Sequence, residues 1–473
     1  MPLVKSTTPK VINVLGGKIL AISLILTASC FTATAQDNSP YSRYGLGDLV
    51  PSTNVNTRSM GGISAGYSDI FSINYNNPAS YGSFQAIRQA TSKKLAYGRA
   101  IFDAGINLEN RTLKEPNSIG KFTASNALFS HIQVGVPLRT NWGLSLGLKP
   151  VHRISYKMAR YSQLTDPNSG LPIDSAVHLN EGDGGTYLVN IGTGVKIDLN
   201  KKNHNNLGVN AGYLFGKKDI ANRISIFNDT LSYNSGNFQT LTTYGNIQLV
   251  GGLQYTTYFK MTGEEVVSLT LGAFGNAKTK LKGRQDIIRE TYFYDESVGY
   301  TRQDSAYELR DVKGTVMYPS QLTAGFVLER KAIKKTSWLI GLDVVRQNWD
   351  EFEFYGEKDA TLRSRTEIRF GAQFRPIAKA NYFSNVAYRF GFFTGQDYLQ
   401  VQQEKLPVLG ITAGFELPFR KFNRSQLNQE TKVNLALEYV RRGNNDNLLK
   451  ENLFRLSVGF ALSDFWFIKR KFD

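Results

Sequence analysis

The residues best suited to chemistry are four histidines, an acidic loop at 166–174 and the pair Gly192-x-Gly194. His131, His152, His178 and His204 are widely separated and have no second ligand at metal-site spacing, so each reads as an interfacial or loop residue. Asp166-Pro167-Asn168-Ser169-Gly170, with Asp174 beyond it, offers oxygen ligands at a loosely calcium-like spacing. It lacks the remaining ligands of a calcium loop and is first of all a turn. Gly192-x-Gly194 lies inside an alternating stretch, and no helix follows to present its N-terminus to a phosphate. No Ser/His/Asp grouping assembles. These absences predict a protein that is not an enzyme and has no cofactor and no resident metal.

Charge is the next signal. The chain of 473 residues carries a formal net charge of +17. Its densest basic cluster is Arg330, Lys331, Lys334 and Lys335. Two readings stand for this cluster: contact with phospholipid headgroups, or docking of an acidic periplasmic partner. Nucleic acid is excluded as a partner, because the basic residues gather on neither an aromatic platform nor a recognition helix.

The elements that would position these residues are strands. Residues 1–35 read as a cleaved signal peptide. Lys5, Lys10 and Lys18 precede the apolar run Ile19–Leu26, and Ala33-Thr34-Ala35 is a small-x-small cleavage pattern. The only cysteine, Cys30, leaves with it; Thr27 occupies the place where a lipoprotein signal has Leu. From about residue 100 the dominant period is 2. Leu144, Leu146 and Leu148 alternate with Ser145 and Gly147, Val189 and Ile191 with Asn190 and Gly192, and Leu409 and Ile411 with Gly410 and Thr412. Fourteen segments result, centred near residues 105, 132, 147, 191, 211, 249, 271, 322, 342, 370, 390, 412, 436 and 458. Runs of roughly 10 residues, in an even number, behind an export signal, predict an all-β fold: a 14-stranded antiparallel transmembrane β-barrel. Trp142, Trp338, Trp349 and Trp466 fall at predicted strand ends, as an interfacial girdle would place them.

Six short connections alternate with seven mostly longer ones, which include Ala159–Gly184, Lys217–Phe238 and Arg284–Glu308. Short connections sum to +9 and long ones to −7. Short turns are periplasmic in outer-membrane barrels, which puts both chain ends on that side. The barrel spans 93–473. Residues 36–92 are rich in Gly, Ser, Asn and Tyr without sustained alternation, and are expected either to thread back as a plug in the lumen or to form an unstructured leader. Their composition favours the plug.

Within that segment, Met60-Gly61-Gly62 followed by Asn76-Asn77-Pro78-Ala79-Ser80 resembles the N-terminal hatch of FadL-type outer-membrane transport proteins, whose hatch carries an Asn-Pro-Ala motif. Ser39–Leu49 and the aromatic, basic ending Phe465–Asp473 are similar to a Bacteroidota branch related to PorV-type secretion-system barrels. The resemblance implies a conduit for small hydrophobic or amphipathic solutes, with Gly61, Gly62, Asn77, Pro78 and Ala79 gating or lining the path. It departs from the family at Ala79-Ser80-Tyr81, where Gly-Leu is usual after the proline. Inward charges at Lys149, Lys196, Asp343, Glu367, Arg369, Glu416, Glu438 and Arg455 suit a second expectation equally well: a non-transporting subunit of an outer-membrane assembly or type IX-like secretion complex. Expected partners are outer-membrane lipids and lipopolysaccharide, joined in the second case by other envelope proteins.

Overall fold

The computed structural model describes residues 39–88, 95–116, 120–165, 168–170, 172–228, 233–295, 297–379, 381–419 and 429–466. Residues 1–35, expected to be a signal peptide, the last seven residues, most of the 419–430 connection, and Asp166 and Pro167 of the acidic loop lie outside them.

Fourteen antiparallel strands close into a barrel: β1 Leu95–Lys114, β2 Lys121–Arg139, β3 Trp142–Thr165, β4 Pro172–Asp198, β5 Asn203–Phe227, β6 Ser235–Met261, β7 Glu265–Asn276, β8 Gln321–Ala332, β9 Ser337–Gln347, β10 Arg365–Arg375, β11 Ala387–Val401, β12 Glu404–Pro418, β13 Glu430–Arg442 and β14 Lys450–Trp466. Each pairs with its sequence neighbour, and β14 returns to β1 from Lys450↔Lys114 to Trp466↔Gly98. All fourteen strand centres expected from the alternation fall inside these strands.

The side chains are arranged inside out relative to a soluble barrel. Outward positions are large and apolar and stay exposed, among them Ile191, Ile247, Leu249, Phe390 and Ile411. Inward neighbours are polar and buried, among them Asn190, Gln248, Thr323, Thr412 and Asn434. A bilayer is the solvent that makes this pattern favourable, because hydrocarbon takes the apolar face while the lumen satisfies the polar one.

The long loops are corrected. Ala159–Gly184 is mostly strand, with β3 and β4 paired up to Thr165↔Pro172, and Lys217–Phe238 continues β5 and β6 likewise. Arg284–Glu308 belongs to a hairpin, Thr279–Asp295 with Gly299–Tyr318, whose first strand pairs with the first residues of β6, from Tyr292↔Ser235 to Lys282↔Gly245. The strands β3 to β6 run 24 to 27 residues, against the roughly 10 a bilayer needs, so they rise as a wall on one side. Beyond the bilayer both faces meet water, and period-2 hydrophobicity has no reason to persist while the backbone ladder continues.

One seam interrupts the cylinder. β2 and β3 are hydrogen-bonded only from Ile132↔Leu148 to Arg139↔Trp142, although both strands run on. Pairing stops two residues before Pro150, which has no N–H to donate, and the β3–β4 register shifts between Pro150 and His152. The bulge turns β3 away from β2. The N-terminal segment takes the vacant edge: Asp48↔Arg153 and Leu49↔His152 pair antiparallel, the Val50 N–H donates to the Val151 carbonyl (3.0 Å), and the Ser39 N–H donates to the Ser155 carbonyl (2.9 Å).

Candidate functional site: the lumen and its N-terminal segment

Residues 39–88 lie against the inward faces of the strands, and most of them are buried. A one-turn helix, α1 (Val55–Arg58), begins at Asn54, whose side chain accepts the Thr57 N–H (2.9 Å). Three apolar clusters seat the segment. Met60, Ile63 and Tyr67 pack with Val327 and Leu339. Ile73, Tyr75, Tyr81 and Phe84 pack with Ile101 towards the short-turn end. Tyr41 and Leu46 join Trp349, Leu362 and Tyr398 towards the long-loop end.

Each residue singled out in this segment has a structural place. Gly61 and Gly62 both have positive φ, and a Cβ on Gly61 would lie 2.4 Å from the Phe370 carbonyl oxygen. The Gly61 N–H donates to Thr412 Oγ1 (2.9 Å), and Arg369 donates to the Gly62 carbonyl (3.1 Å). Asn77 caps a 3-10 turn, Pro78–Ser83, accepting the Ala79 N–H (3.1 Å) and donating to the carbonyls of Ala65 (2.7 Å) and Leu253 (3.2 Å). Pro78 is the first residue of that turn, where a missing N–H costs nothing. Its carbonyl carbon lies 2.3 Å from where a Cβ on Gly208 would be, so β5 needs glycine there. Ala79 is fully buried. Gly61 and Gly62 line the main luminal cavity, whereas Asn77, Pro78 and Ala79 anchor the segment away from that lining.

Most of the inward charges are paired, whereas Lys149 donates to the neutral Asn76 Oδ1 (3.0 Å). Asp343 accepts the N–H groups of Ser64 (2.6 Å) and Ala65 (2.9 Å). Glu416 meets Arg375 (2.8 Å), Lys432 (2.6 Å) and Arg389. Arg455 spans Glu109 (2.6 Å) and Glu438 (2.5 Å). Glu367 pairs with Arg369 (2.6 Å) and Arg365. At the long-loop end Asp48, Arg111, Arg442, Asp397 and Glu451 form one network, with Arg111–Asp48 and Arg442–Asp48 both at 2.9 Å. Burial raises the Asp48 carboxyl, but Arg442 and Arg111 more than reverse this and hold it below the ordinary carboxylate value.

Sequence reasoning missed this network because its members are up to about 400 residues apart and meet only once β14 closes on β1. Alternation alone could have marked Arg111, Arg442 and Glu451 as inward, but could not have paired them.

The basic cluster is not bare. Arg330 pairs with Glu265 (2.6 Å), Lys331 with Glu329 (2.8 Å), Lys335 with Glu265 (3.9 Å) and Lys334 with Glu264. The adjacent β6–β7 turn thus supplies counter-charge. Two other expectations are corrected. Trp349 is no girdle residue: it is 1% exposed and stacks on Tyr398 at 4.4 Å. His131 and His152 are buried in the lumen rather than interfacial, His131 against Asp103 (3.1 Å) and His152 edge-on to Trp349 and Tyr318. Among the described residues no His/Cys/Asp/Glu group has metal-site geometry.

Between the first half of the segment and strands β1, β10, β13 and β14 lies a cavity of about 210 Å³. Six arginines and five carboxylates share its lining with Leu49, Val50, Val151, Phe393, Val408 and Leu453. A side cavity of about 30 Å³, lined by Leu128 of β2 and Arg153 and Ser155 of β3, shares Asp48 to Pro51 with it and lies at the seam.

Comparison with known proteins gives the family. The barrel is similar to the CymD monoaromatic hydrocarbon channel (13% identity, 87% of this chain and 97% of that one, TM-score 0.46). It is likewise similar to the Pseudomonas putida toluene transporter TodX (13%, 88% and 98%, 0.46) and to a Pseudomonas aeruginosa FadL homologue (13%, 89% and 99%, 0.49). No curated protein matches. The model of one protein family, BamG, matches residues 17–473, nearly the whole sequence. This outer-membrane barrel therefore belongs to the BamG family.

Proposed function

We propose that the protein is a FadL-like conduit for small amphipathic solutes, with residues 39–88 as its plug, its long-loop end outside the cell and both chain ends periplasmic. The observation that supports this reading is that the luminal cavity and the side cavity at the β2–β3 seam adjoin, with Asp48 to Pro51 lining both. Only two backbone pairs and a few further hydrogen bonds from residues 39–50 close that seam, whereas the neighbouring β3–β4 and β14–β1 junctions are long ladders. Charged and apolar groups share the cavity lining, which suits an amphipathic solute better than a pure hydrocarbon. A solute would displace a short strand, not unzip the barrel. No cofactor or energy source is needed, since movement follows the gradient.

The test is mild-detergent purification of the tagged protein from native membranes, with mass spectrometry of everything retained. A lone barrel carrying an amphipathic molecule supports the conduit. Stoichiometric envelope proteins and no small molecule would overturn it in favour of a non-transporting subunit of an assembly or secretion complex. One observation favours that second reading: the segment is pinned by buried bonds such as those of Asp343 and Asn77, which suits a permanent structural filling. In that reading, reversing the charges of Arg330, Lys331, Lys334 and Lys335 weakens co-purification.

A further inference from the structure

Thr279-Lys280-Leu281-Lys282-Gly283-Arg284, where the first strand of the 279–318 hairpin begins, alternates basic residues with apolar or small ones. Alternation puts Lys280, Lys282 and Arg284 on one face of that strand. Leu281 is fully buried with Leu214, Tyr244 and Val316, and Gly283 lies against Tyr355, so the positions between the cations face inward. The cations face outward. On the second strand Lys313 stands opposite Arg284 on the same face, with Thr315 opposite Lys282 and Met317 opposite Lys280. Residues two apart on a strand are separated by about 7 Å and cross-strand neighbours by about 5 Å, so the four side chains form one patch. All four residues are exposed. Arg284 has Asp311 at 3.4 Å, but Lys280, Lys282 and Lys313 pair with no carboxylate among the described residues. The hairpin's other acidic residues, Asp286, Glu290 and Glu308, pair with Arg302 and Arg310 further along it.

The same outward face carries the upper limit of the apolar belt. Lys282 stands opposite Gly245 of β6, and Gly245 opposite Phe215 of β5. Phe215, Tyr213 and Tyr187 are exposed, and the Phe215 ring centre lies 6.0 Å from that of Tyr187 and 6.1 Å from that of Tyr213. Towards the short turns the face continues with the exposed Ile247, Leu249 and Ile191. The Tyr213 hydroxyl lies 2.9 Å from where a Cβ on Gly245 would be, next to Lys282. Exposed aromatic residues above exposed aliphatic ones mark where hydrocarbon gives way to headgroups. The basic patch therefore sits at headgroup height, with a surface for acyl chains directly below it. Phosphate groups on a lipid meet both requirements, because they pair with ammonium and guanidinium groups while their chains cover the belt.

We propose that Lys280, Lys282, Arg284 and Lys313 bind the phosphate groups of one phosphorylated glycolipid of the outer leaflet, a lipid A-type molecule. Its acyl chains lie on Tyr213, Phe215 and Ile247. The ammonium groups replace the divalent cations that otherwise bridge such phosphates, so binding survives a chelator. This goes beyond the conduit reading and rests on it only for the placement of the long-loop end outside the cell.

Native mass spectrometry of the full-length mature protein in detergent, with EDTA present, tests it with three probes: bisphosphorylated lipid A, dephosphorylated lipid A and phosphatidylglycerol. One bisphosphorylated lipid A per barrel is expected to bind at least about tenfold tighter than the dephosphorylated form. Lys280→Gln, Lys282→Gln and Lys313→Gln together remove that preference, and arginine at the same three positions keeps it. Lys201→Gln with Lys202→Gln, in the short β4–β5 turn at the opposite end, leaves it unchanged. Equal binding of the two lipid A forms, a preference that survives the triple Gln variant, or one lost equally without Lys201 and Lys202 overturns the proposal. Phosphatidylglycerol bound as tightly as bisphosphorylated lipid A overturns the glycolipid assignment, and an acidic protein captured there from native membranes overturns it in favour of protein docking. A heat-dependent gel shift, retained in each variant, separates loss of binding from loss of folding; Lys282→Gln alone repeats the comparison if the triple variant fails that check. The placement is read separately: Gln303→Cys, further along the hairpin, is expected to react with a membrane-impermeant maleimide on intact cells. No reaction overturns the external placement here and in the conduit reading, whereas reaction without a lipid preference overturns the glycolipid site alone.

Discussion

Replacing Asn77 by leucine isolates the hydrogen bonds that anchor the N-terminal segment from the volume that fills its place. Asn77 is fully buried; its side chain donates to the Ala65 and Leu253 carbonyls and accepts the Ala79 N–H. Leucine is close in size, so little cavity opens. Each lost bond contributes about 1 kcal/mol, and the cap about another 1 kcal/mol. The Ala65 carbonyl keeps Gln254 as a donor at 3.0 Å, which limits the penalty there. The sum is about 3 kcal/mol, enough to raise the undocked population of the segment roughly a hundredfold. Hydrogen exchange by mass spectrometry on the folded, detergent-solubilised protein reads this directly. Peptides from 54–84 are expected to lose about two orders of magnitude of protection while β1, β13 and β14 keep theirs. Unchanged protection over 54–84 refutes the anchoring role, and uniform loss through the strands refutes the separation of segment from barrel.

Other expectations follow from the same contacts. Gly272→Val puts a side chain 1.9 Å from the Ala65 carbonyl oxygen, so it should expel the segment near Ala65, seen as proteolysis within 60–70 of an otherwise folded barrel. Glu416→Gln leaves buried Arg389 and Lys432 without a counter-charge and should cost about 3–5 kcal/mol, read from the urea midpoint; no change there would mean that the cluster is solvated. For Asp48 the depressed folded value means that its contribution is present above the unfolded value and lost as pH falls through the folded one. Protection over 39–50, taken relative to the intrinsic exchange rate at each pH, should therefore stay flat from about pH 8 to about pH 5 and fall only in more acidic solution. A fall near pH 6 would point to a histidine instead.

The barrel was legible in the sequence because a bilayer enforces alternation wherever a strand crosses it. Leu146, Ile191 and Ile411 had to be apolar, and Ser145, Asn190 and Thr412 did not. Where that solvent ends, the signal ends, which is why Ala159–Gly184 reads as loop and is strand. Trp349 misleads for a related reason: tryptophan suits an interface, yet the turn Trp349–Glu351 tucks it beside Tyr398. Gly61, Gly62 and Asn77–Ala79 stood out in the sequence because their conformational and capping roles are written in residue type. The seam did not, although Pro150 marks it. A proline in an alternating stretch signals an edge or a bulge, and only the register of β2 against β3 shows that the N-terminal segment fills the gap.

The conduit reading stands or falls on that seam. Leu49→Cys with His152→Cys places two cysteines at a register pair of a mature chain expected to have no other thiol, and oxidation fastens residues 39–50 to β3. Passage of hexanoate into proteoliposomes holding the purified barrel is the measurement. The account expects passage with the reduced double variant, loss on oxidation and recovery on reduction. Passage no faster than in empty liposomes, or equally fast in the oxidised and reduced forms, would contradict it.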